Sequence, residues 1–291
     1  WGVSVDLDPR DVVYVLLDAL ANYITGIGYD VDNPSEQFKK LWPADVHVVG
    51  KDIMRFHVIY WPIFLMALGL PLPKRVFGHP WLLQGGDKMS KSKGNVLYAD
   101  DLASVFGVDA VRYFVLHEMP FDQDGTITWE LVCERVNSDL ANVLGNLVKR
   151  TVSMTNQYLG GVARDCGEHE EADDSLKSLV ASARVAAAAA MDNFCIADAL
   201  DKVWAIFRRA NKYIDETTPW ILAKDEANRG RLSTVLYNLC EAISVGAHLM
   251  QPFMPDAAAR ILGETGAESR SWDSLVTFGA PAEYRVAEQP L

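Results

Sequence analysis

The sequence has no run of 18 or more apolar residues, so no helical membrane span is expected. Its four cysteines, Cys133, Cys166, Cys195 and Cys240, are far apart, and no two stand in a C-x-x-C pair. That argues against a zinc knuckle within this chain and for reduced thiols in a cytoplasmic protein. No internal repeat is visible. The first residue is Trp1 rather than Met, and no basic-apolar-small leader follows, so the start reads as a cut end. Positive charge is also in deficit: 27 Lys and Arg stand against 39 Asp and Glu, a net charge of −12. A generic nucleic-acid binder is not built that way.

What is present is ordinary globular composition, 291 residues of which 49% are hydrophobic and 23% charged, enough for about two domains. The charge is unevenly placed. Residues 74–93 carry Lys74, Arg75, Lys88, Lys91 and Lys93 against only Asp87. Asp165, Glu168, Glu170, Glu171, Asp173 and Asp174 crowd residues 165–174, which reads as a solvated linker. A local basic path can still bind RNA in an acidic protein, with acidic walls limiting non-specific binding.

Residues 12–18, VVYVLLD, have the pattern of a strand buried on both faces of a parallel sheet. Residues 20–29 read as helix or turn, 30–43 as a polar surface helix or loop, and 45–50 as a second strand. Residues 52–68 read as a helix kinked at Pro62, and 75–79 as a third strand. Strand, helix, strand implies parallel crossovers, with the site beyond the carboxyl ends of the strands. That puts Asp18, Asp52 and His79 at one rim. A helix-like stretch spans Tyr98 to Leu116, a turn covers Gln123 to Thr126, and helical periodicity starts at Thr128. Four apolar faces follow: Leu140, Val143, Leu144, Leu147 and Val148; Leu176, Leu179, Val180, Ala183 and Ala187; Ile196, Leu200, Val203, Trp204 and Phe207; Leu232, Val235, Leu236, Leu239 and Ile243. They predict an antiparallel bundle, closed by a short helix after Pro252 and Pro255, with residues 264–291 irregular.

The stretch with most chemistry is Gly85-Gly86-Asp87-Lys88-Met89-Ser90-Lys91-Ser92-Lys93-Gly94-Asn95. Glycine permits close backbone approach to a ligand, and lysine is a compact charge that clamps phosphate. Together they suit a loop that closes over a polyphosphate; a solvated charged loop is the bland alternative. KMSKS matches in full the second signature of class I aminoacyl-tRNA synthetases, and several of them share it.

Further stretches resemble one family among these, the methionyl-tRNA synthetases. They are Tyr14-Val15-Leu16-Leu17-Asp18-Ala19-Leu20-Ala21-Asn22-Tyr23, Val49-Gly50-Lys51-Asp52-Ile53 followed by Arg55-Phe56-His57, Trp81-Leu82-Leu83, Gly107-Val108-Asp109-Ala110-Val111-Arg112-Tyr113-Phe114 and Asn137-Ser138-Asp139-Leu140-Ala141-Asn142. The resemblance runs collinearly over about residues 1–255. It implies an α/β plus all-α architecture: residues 1–80 the C-terminal half of a Rossmann-like nucleotide-binding fold, 81–127 the KMSKS and stem-contact region, 128–263 an antiparallel anticodon-binding helix bundle, and 264–291 a tail or linker.

The resemblance also implies roles. Ala19, Tyr23, Asp52, Phe56 and His57 would line the methionine pocket. Taken alone, Tyr23 and Phe56 read as core aromatics and His57 as a hydrogen-bonded helix histidine. An aromatic pocket suits a thioether, and Asp52 suits the substrate ammonium. His79, Lys88, Met89, Ser90, Lys91 and Ser92 would bind ATP together with its Mg²⁺, with Lys88 and Lys91 stabilising charge in catalysis and Lys91 foremost. Asn146, Arg150, Pro219 and Trp220 would read the anticodon. Asn146 and Arg150 share a helical face, and Trp220 could stack on an unpaired base; in isolation such residues are an exposed helix pair and a helix stop. Two positions depart from the family: Leu16 replaces a pocket tryptophan, and Pro80 replaces the glycine after His79.

The implied activity is ATP-dependent activation of L-methionine and its transfer to tRNA(Met), with no zinc in this chain. The first class I signature, His-x-Gly-His, is absent, since no two of the six histidines have that spacing. We therefore expect the chain alone to be inactive and to partner the N-terminal half of the same enzyme. Two alternatives stand beside this: another class I synthetase, and a non-catalytic tRNA-binding module derived from one.

Overall fold

Of the apolar run at 12–18, expected to be one strand, Val12 ends a strand and residues 15–18 open a helix, while Val13 and Tyr14 lie outside the described residues. The computed structural model describes residues 4–6, 8–12, 15–90, 92, 94–118 and 123–288, with all of their side chains except those of Val5, Pro9 and Val15. Strands β1 (Ser4–Val5) and β2 (Asp8–Val12) form an antiparallel pair, and helix α1 (Val15–Thr25) follows. Leu20 and Ile24, four residues apart, are buried against Phe38, Trp42, Trp61 and Leu65, while Leu17, Asp18 and Ala19 are exposed. One buried stripe with an exposed opposite face is helical periodicity, and it overrides the short apolar run. Asp18 thus lies in the first turn of a helix, where the helix dipole favours a carboxylate, and not at a strand end.

The chain divides into two compact units, Trp1–Trp81 and Leu82–Leu291. In the first, α2 (Glu36–Leu41) starts at Ser35, whose hydroxyl accepts from the Phe38 amide. Strand β3 (His47–Gly50) pairs in parallel with β4 (Val76–His79), in register from His47↔Val76 to Gly50↔His79. Their carboxyl ends therefore finish side by side. Between them come a 3₁₀ turn (Lys51–Ile53), a π-helical turn (Phe56–Tyr60) and α3 (Trp61–Ala67). Pro62 sits in the first turn of α3 and cannot donate back to the preceding turn. The helix widens just before it, where a simple kink was expected.

In the second unit β5 (Leu82–Gln84) turns through Gly85 and Gly86, at φ 59° and 91°, into antiparallel β6 (Asp87–Lys88). Left-handed backbone at both turn positions is what a two-residue hairpin needs. The expected helix over Tyr98–Leu116 is two helices, α4 (Ala99–Phe106) and α5 (Val108–Glu118), broken at Gly107 with φ 82°. Gly125 and Thr126, expected in a turn, belong to β7 (Gly125–Ile127), which pairs in parallel with β5. Leu102, Phe114, Ile127 and Val132 bury a small core there.

Thr128 caps α6 (Trp129–Arg135), and a π-helical stretch (Val136–Gly145) leads into α7 (Asn146–Leu159). Then come β8 (Val162–Arg164), α8 (Glu171–Asp192), α9 (Ile196–Thr217), α10 (Pro219–Leu222), α11 (Arg229–Met250) and α12 (Pro255–Thr265). The apolar faces of these helices share one core, with Leu147, Leu176, Leu200, Trp204, Phe207, Leu236 and Ile243 buried. Tyr213, late in α9, donates to Asp173, early in α8, so the two helices run in opposite directions. Helix α11 is buried on every side from Arg231 to Met250, as a central helix must be.

Two further expectations fail in this unit. Residues 165–174 are not merely a solvated linker: Asp173 is 0% exposed, capping α8 and pairing with Arg231. The expected irregular tail over 264–291 is, in its described part up to residue 288, not irregular either. Strand β9 (Glu283–Arg285) pairs antiparallel with β8, and Tyr284 is buried with its hydroxyl on Glu241. Arg270 also pairs with that carboxylate at 2.8 Å.

Gly246 shows how tight the core is. A Cβ there would lie 2.7 Å from Phe207 Cζ and closer still to its Cε1. Overpacking costs about 1–3 kcal/mol, and alanine's helix propensity offsets about 1. Gly246→Ala is therefore expected to lose up to about 2 kcal/mol, read as a lower urea midpoint; an unchanged or higher midpoint would contradict this packing.

Cys133, Cys166, Cys195 and Cys240 are all free thiols, and burial pushes the Cys240 thiol up to about 12. Among the described residues no helix is long and apolar enough to cross a membrane.

Candidate functional site

The parallel pair in the first unit sets one rim. Gly50 and His79 face each other at its carboxyl end. A Cβ on Gly50 would lie 2.5 Å from Asp52 Oδ1 and 4.0 Å from His79 Cε1, so Asp52 folds back over a position that only glycine leaves open. Asp52 is exposed and His79 half-buried. His79 Nδ1 donates to the Pro80 carbonyl at 2.9 Å, which fixes its ring through the residue that departs from the family pattern. Lys51 lies over the Trp81 ring, 4.2 Å from its centroid.

Helix α1 presents Ala19 and Tyr23, four residues apart on one exposed face, with half-buried Leu16 a turn earlier. Tyr23 is joined to His57, which is buried on the π-helical turn, by a 2.9 Å hydrogen bond to Nε2. His57 Nδ1 lies 3.0 Å from the Ile53 carbonyl, which can only accept. The neutral His57 ring thus carries its proton on Nδ1, and the Tyr23 hydroxyl donates to Nε2. Burial pushes the Tyr23 phenol above its ordinary pKa, so it stays protonated at neutral pH. Phe56 stacks on Tyr60 with centroids 5.6 Å apart and packs against the core of α1 and α3.

His47, which sequence reasoning passed over, stands behind this pair. Its ring centroid is 4.4 Å from that of Tyr23 and 6.0 Å from that of His57. The signal available was a histidine at an inward position of a predicted strand, near two aromatic-rich segments.

In the second unit the KMSKS loop leaves β6 at Lys88. The Asn95 side chain latches it from both ends, its Oδ1 accepting from the Ser90 amide at 2.8 Å and its Nδ2 donating to the Lys88 carbonyl at 3.2 Å. Ser90 and Ser92 share a hydrogen bond of 2.8 Å between hydroxyls. Lys88 and Ser92 are exposed, and Met89 and Ser90 half-buried. Lys91, expected as the foremost catalytic lysine, lies outside the described residues, as does Lys93. Asn95 was quoted within the motif without a role; the latch gives it one.

On the helical bundle Asn146 and Arg150 sit exposed on α7. The Arg150 guanidinium lies 5.9 Å from the centroid of Trp220 and 3.7 Å from Asp215. Thr218, left-handed at φ 43°, ends α9 and turns the chain so that Pro219 is buried and Trp220 is 38% exposed. Three of the four residues expected to read an anticodon thus share one face, held up by the fourth.

Among the described residues no group of three or more His, Cys, Asp or Glu side chains is arranged to hold a metal ion.

Comparison with known proteins adds to this geometry. Residues 1–152 match the family described as tRNA synthetases class I (M), and residues 164–279 that described as the anticodon binding domain of methionyl tRNA ligase. The methionine–tRNA ligase of Clostridium perfringens is 51% identical over 278 residues, covering 96% of this chain and 43% of that protein. That of Bacillus subtilis is 48% identical, over 100% of this chain and 44% of the relative. A solved Mycobacterium tuberculosis methionyl-tRNA synthetase in complex with methionyl-adenylate superposes with a TM-score of 0.90 at 42% identity, covering 100% of this chain and 57% of that one. The chain thus spans less than half the length of the curated relatives it matches.

Proposed function

The chain belongs to the class I (M) tRNA synthetases, and on that premise we propose that it is part of a methionine–tRNA ligase. The reaction has two steps. A carboxylate oxygen of L-methionine attacks the α-phosphorus of ATP, forming methionyl-adenylate as pyrophosphate leaves. The terminal adenosine of tRNA(Met) then takes the methionyl group as an ester, releasing AMP. Protein groups act by positioning and by stabilising charge.

The observation that carries the methionine reading is the Tyr23–His57 pair within an aromatic wall. An apolar, polarisable surface with a few fixed polar groups suits a thioether side chain. Ala19 and Phe56 extend that wall, and Asp52 takes the ammonium. Lys88 and Lys91 meet the phosphates, with Met89, Ser90, Ser92 and His79 completing the ATP site. Mg²⁺ enters bound to ATP, whose phosphate oxygens suit that hard cation. Asn146, Arg150, Pro219 and Trp220 meet the anticodon, Trp220 stacking on an unpaired base and Arg150 reaching a base edge.

In this reading residues 1–80 are the second half of a Rossmann-like domain, 81–127 the KMSKS and stem-contact region and 128–263 the anticodon-binding bundle, and Glu283–Arg285 of the remaining segment pairs back onto β8. The His-x-Gly-His signature comes from an N-terminal half of the same enzyme. Exposed Val48, Val58, Ile59, Ile63 and Met66 in the first unit support a covering partner of that kind. The enzyme works in the cytoplasm with the translation machinery.

The test is ATP–pyrophosphate exchange with methionine, leucine or cysteine, run on this chain and again with the His-x-Gly-His segment supplied. Exchange with methionine alone, in the second sample, is expected; equal exchange with leucine would assign another class I enzyme. Binding of tRNA without any exchange would make the chain a non-catalytic tRNA-binding module. Trp220→Ala is expected to weaken tRNA(Met) binding by about 1–3 kcal/mol, the worth of one stacked base. Its exchange rate should not change, because no tRNA takes part in that step.

A further inference from the structure

Tyr23 is 39% exposed, so its half-open phenol needs something to fix its ring plane. The buried side of that ring meets His47 at 4.4 Å between centroids and at 45°, nearer than His57 at 5.6 Å or Trp61 at 6.1 Å. His47 opens β3 at an inward position and is only 6% exposed. Its own orientation is fixed from the core. The Trp61 indole N–H, which can only donate, points at His47 Nε2 from 3.3 Å. Nε2 therefore carries no proton, and the ring accepts there. Burial, and then the neighbouring His57, hold the His47 pKa below the usual histidine value, which keeps the accepting form at neutral pH. Trp42 closes the far side, its centroid 6.1 Å from both His47 and Trp61, and is itself tied by its indole N–H to the Pro71 carbonyl at 3.0 Å.

We propose that His47 is a positioning residue for methionine recognition: held by Trp61, it sets the ring of Tyr23 so that the phenol stays on His57 and the pair presents one fixed surface to the substrate side chain. The inference rests on reading Tyr23 and His57 as the methionine wall. His47 lies behind that wall and acts only through Tyr23, so it should affect methionine alone among the substrates. A site whose supporting layer is loosened loses recognition before it loses chemistry.

The experiment measures KM for methionine and for ATP, and kcat, in pyrophosphate exchange by the complete enzyme. His47→Leu keeps bulk but loses both the acceptor and the aromatic ring. It is expected to raise the methionine KM about tenfold, with ATP KM and kcat within about twofold, as for a lost binding interaction. His47→Gln returns an acceptor to the Trp61 indole and should recover part of the loss, to about threefold. An unmoved methionine KM in a folded His47→Leu protein overturns the inference, as does an equal rise for ATP. If His47→Leu does not fold, the cycle of His47→Gln with Tyr23→Phe decides. A double variant no worse than Tyr23→Phe supports action through Tyr23, and effects that multiply overturn it. A wild-type enzyme without methionine dependence instead removes the functional reading on which the inference stands.

Discussion

Lys88→Ala is expected to slow methionine-dependent ATP–pyrophosphate exchange by about 10²–10³-fold, with the methionine KM within about twofold of wild type. The size follows from where charge develops. As the α-phosphorus is attacked, negative charge moves onto the departing pyrophosphate, and a cation fixed there is worth most in the transition state. Lys88 ends the β5–β6 hairpin, so its backbone is held by strand pairing, and its carbonyl is bound by Asn95. A lysine on a fixed backbone loses less freedom on reaching a phosphate than one on a free loop. Lys88→Arg keeps the charge but spreads it over a planar fork, so it should recover only part of the rate. The effect should appear in kcat, because the function proposed above assigns methionine to Tyr23, His57 and their neighbours and not to Lys88. A Lys88→Ala enzyme with wild-type kcat would remove Lys88 from the chemistry and leave the loop to Lys91.

What could be seen in the sequence depended on how far apart the interacting residues lie. Strands β3 and β4 were legible because each is a short apolar run ending in glycine or histidine. Residues 15–18 read as strand and are helix because short apolar runs do not separate the two; the decisive fact, burial of Leu20 and Ile24 against Trp61, belongs to a residue about forty positions away. Asn146 and Arg150 were legible as a helical pair from their spacing, but nothing local brings Trp220 to them. Asp173 sat in an acidic run that looked solvated, since its partner Arg231 is 58 residues on. Strand β9 is three residues long, too short for a period-two pattern to stand out. In the candidate site, the resemblance named Tyr23 and His57. His47, Asn95 and Asp215 act by supporting other residues, and no spacing rule marks that.

The largest expected effect on stability follows from the same buried pair. Asp173 receives two hydrogen bonds from Arg231, at 2.7 and 2.8 Å, one from Tyr213 at 2.6 Å and one from the Glu170 amide at 3.1 Å. Asn238 in turn donates to the Tyr213 hydroxyl at 3.1 Å, so α8, α9 and α11 meet at one carboxylate. Burial by itself would raise the Asp173 pKa; hydrogen bonds from Arg231, Tyr213 and the Glu170 amide outweigh it and hold the carboxyl below its ordinary value. Asp173→Ala removes the buried partner of Arg231 and leaves its charge only the exposed Glu170 carboxylate at 3.3 Å, so it is expected to cost about 3–5 kcal/mol, a fall in Tm on the order of 10 °C. Asp173→Asn keeps the shape and can still accept from Tyr213, yet takes the buried carboxylate away from Arg231, so it should also be destabilised. Replacing both Asp173 and Arg231 by leucine should cost less than Asp173→Ala alone, because no charge of the pair then remains buried. The pH dependence separates the pair from mere packing. A lowered folded pKa gives stability that is complete above the ordinary value of 3.8 and disappears as pH falls through the folded one. Wild type should therefore lose more stability than Asp173→Asn as pH falls below 3.8, and parallel acid limbs for the two would mean that the carboxylate is not what ties these helices together.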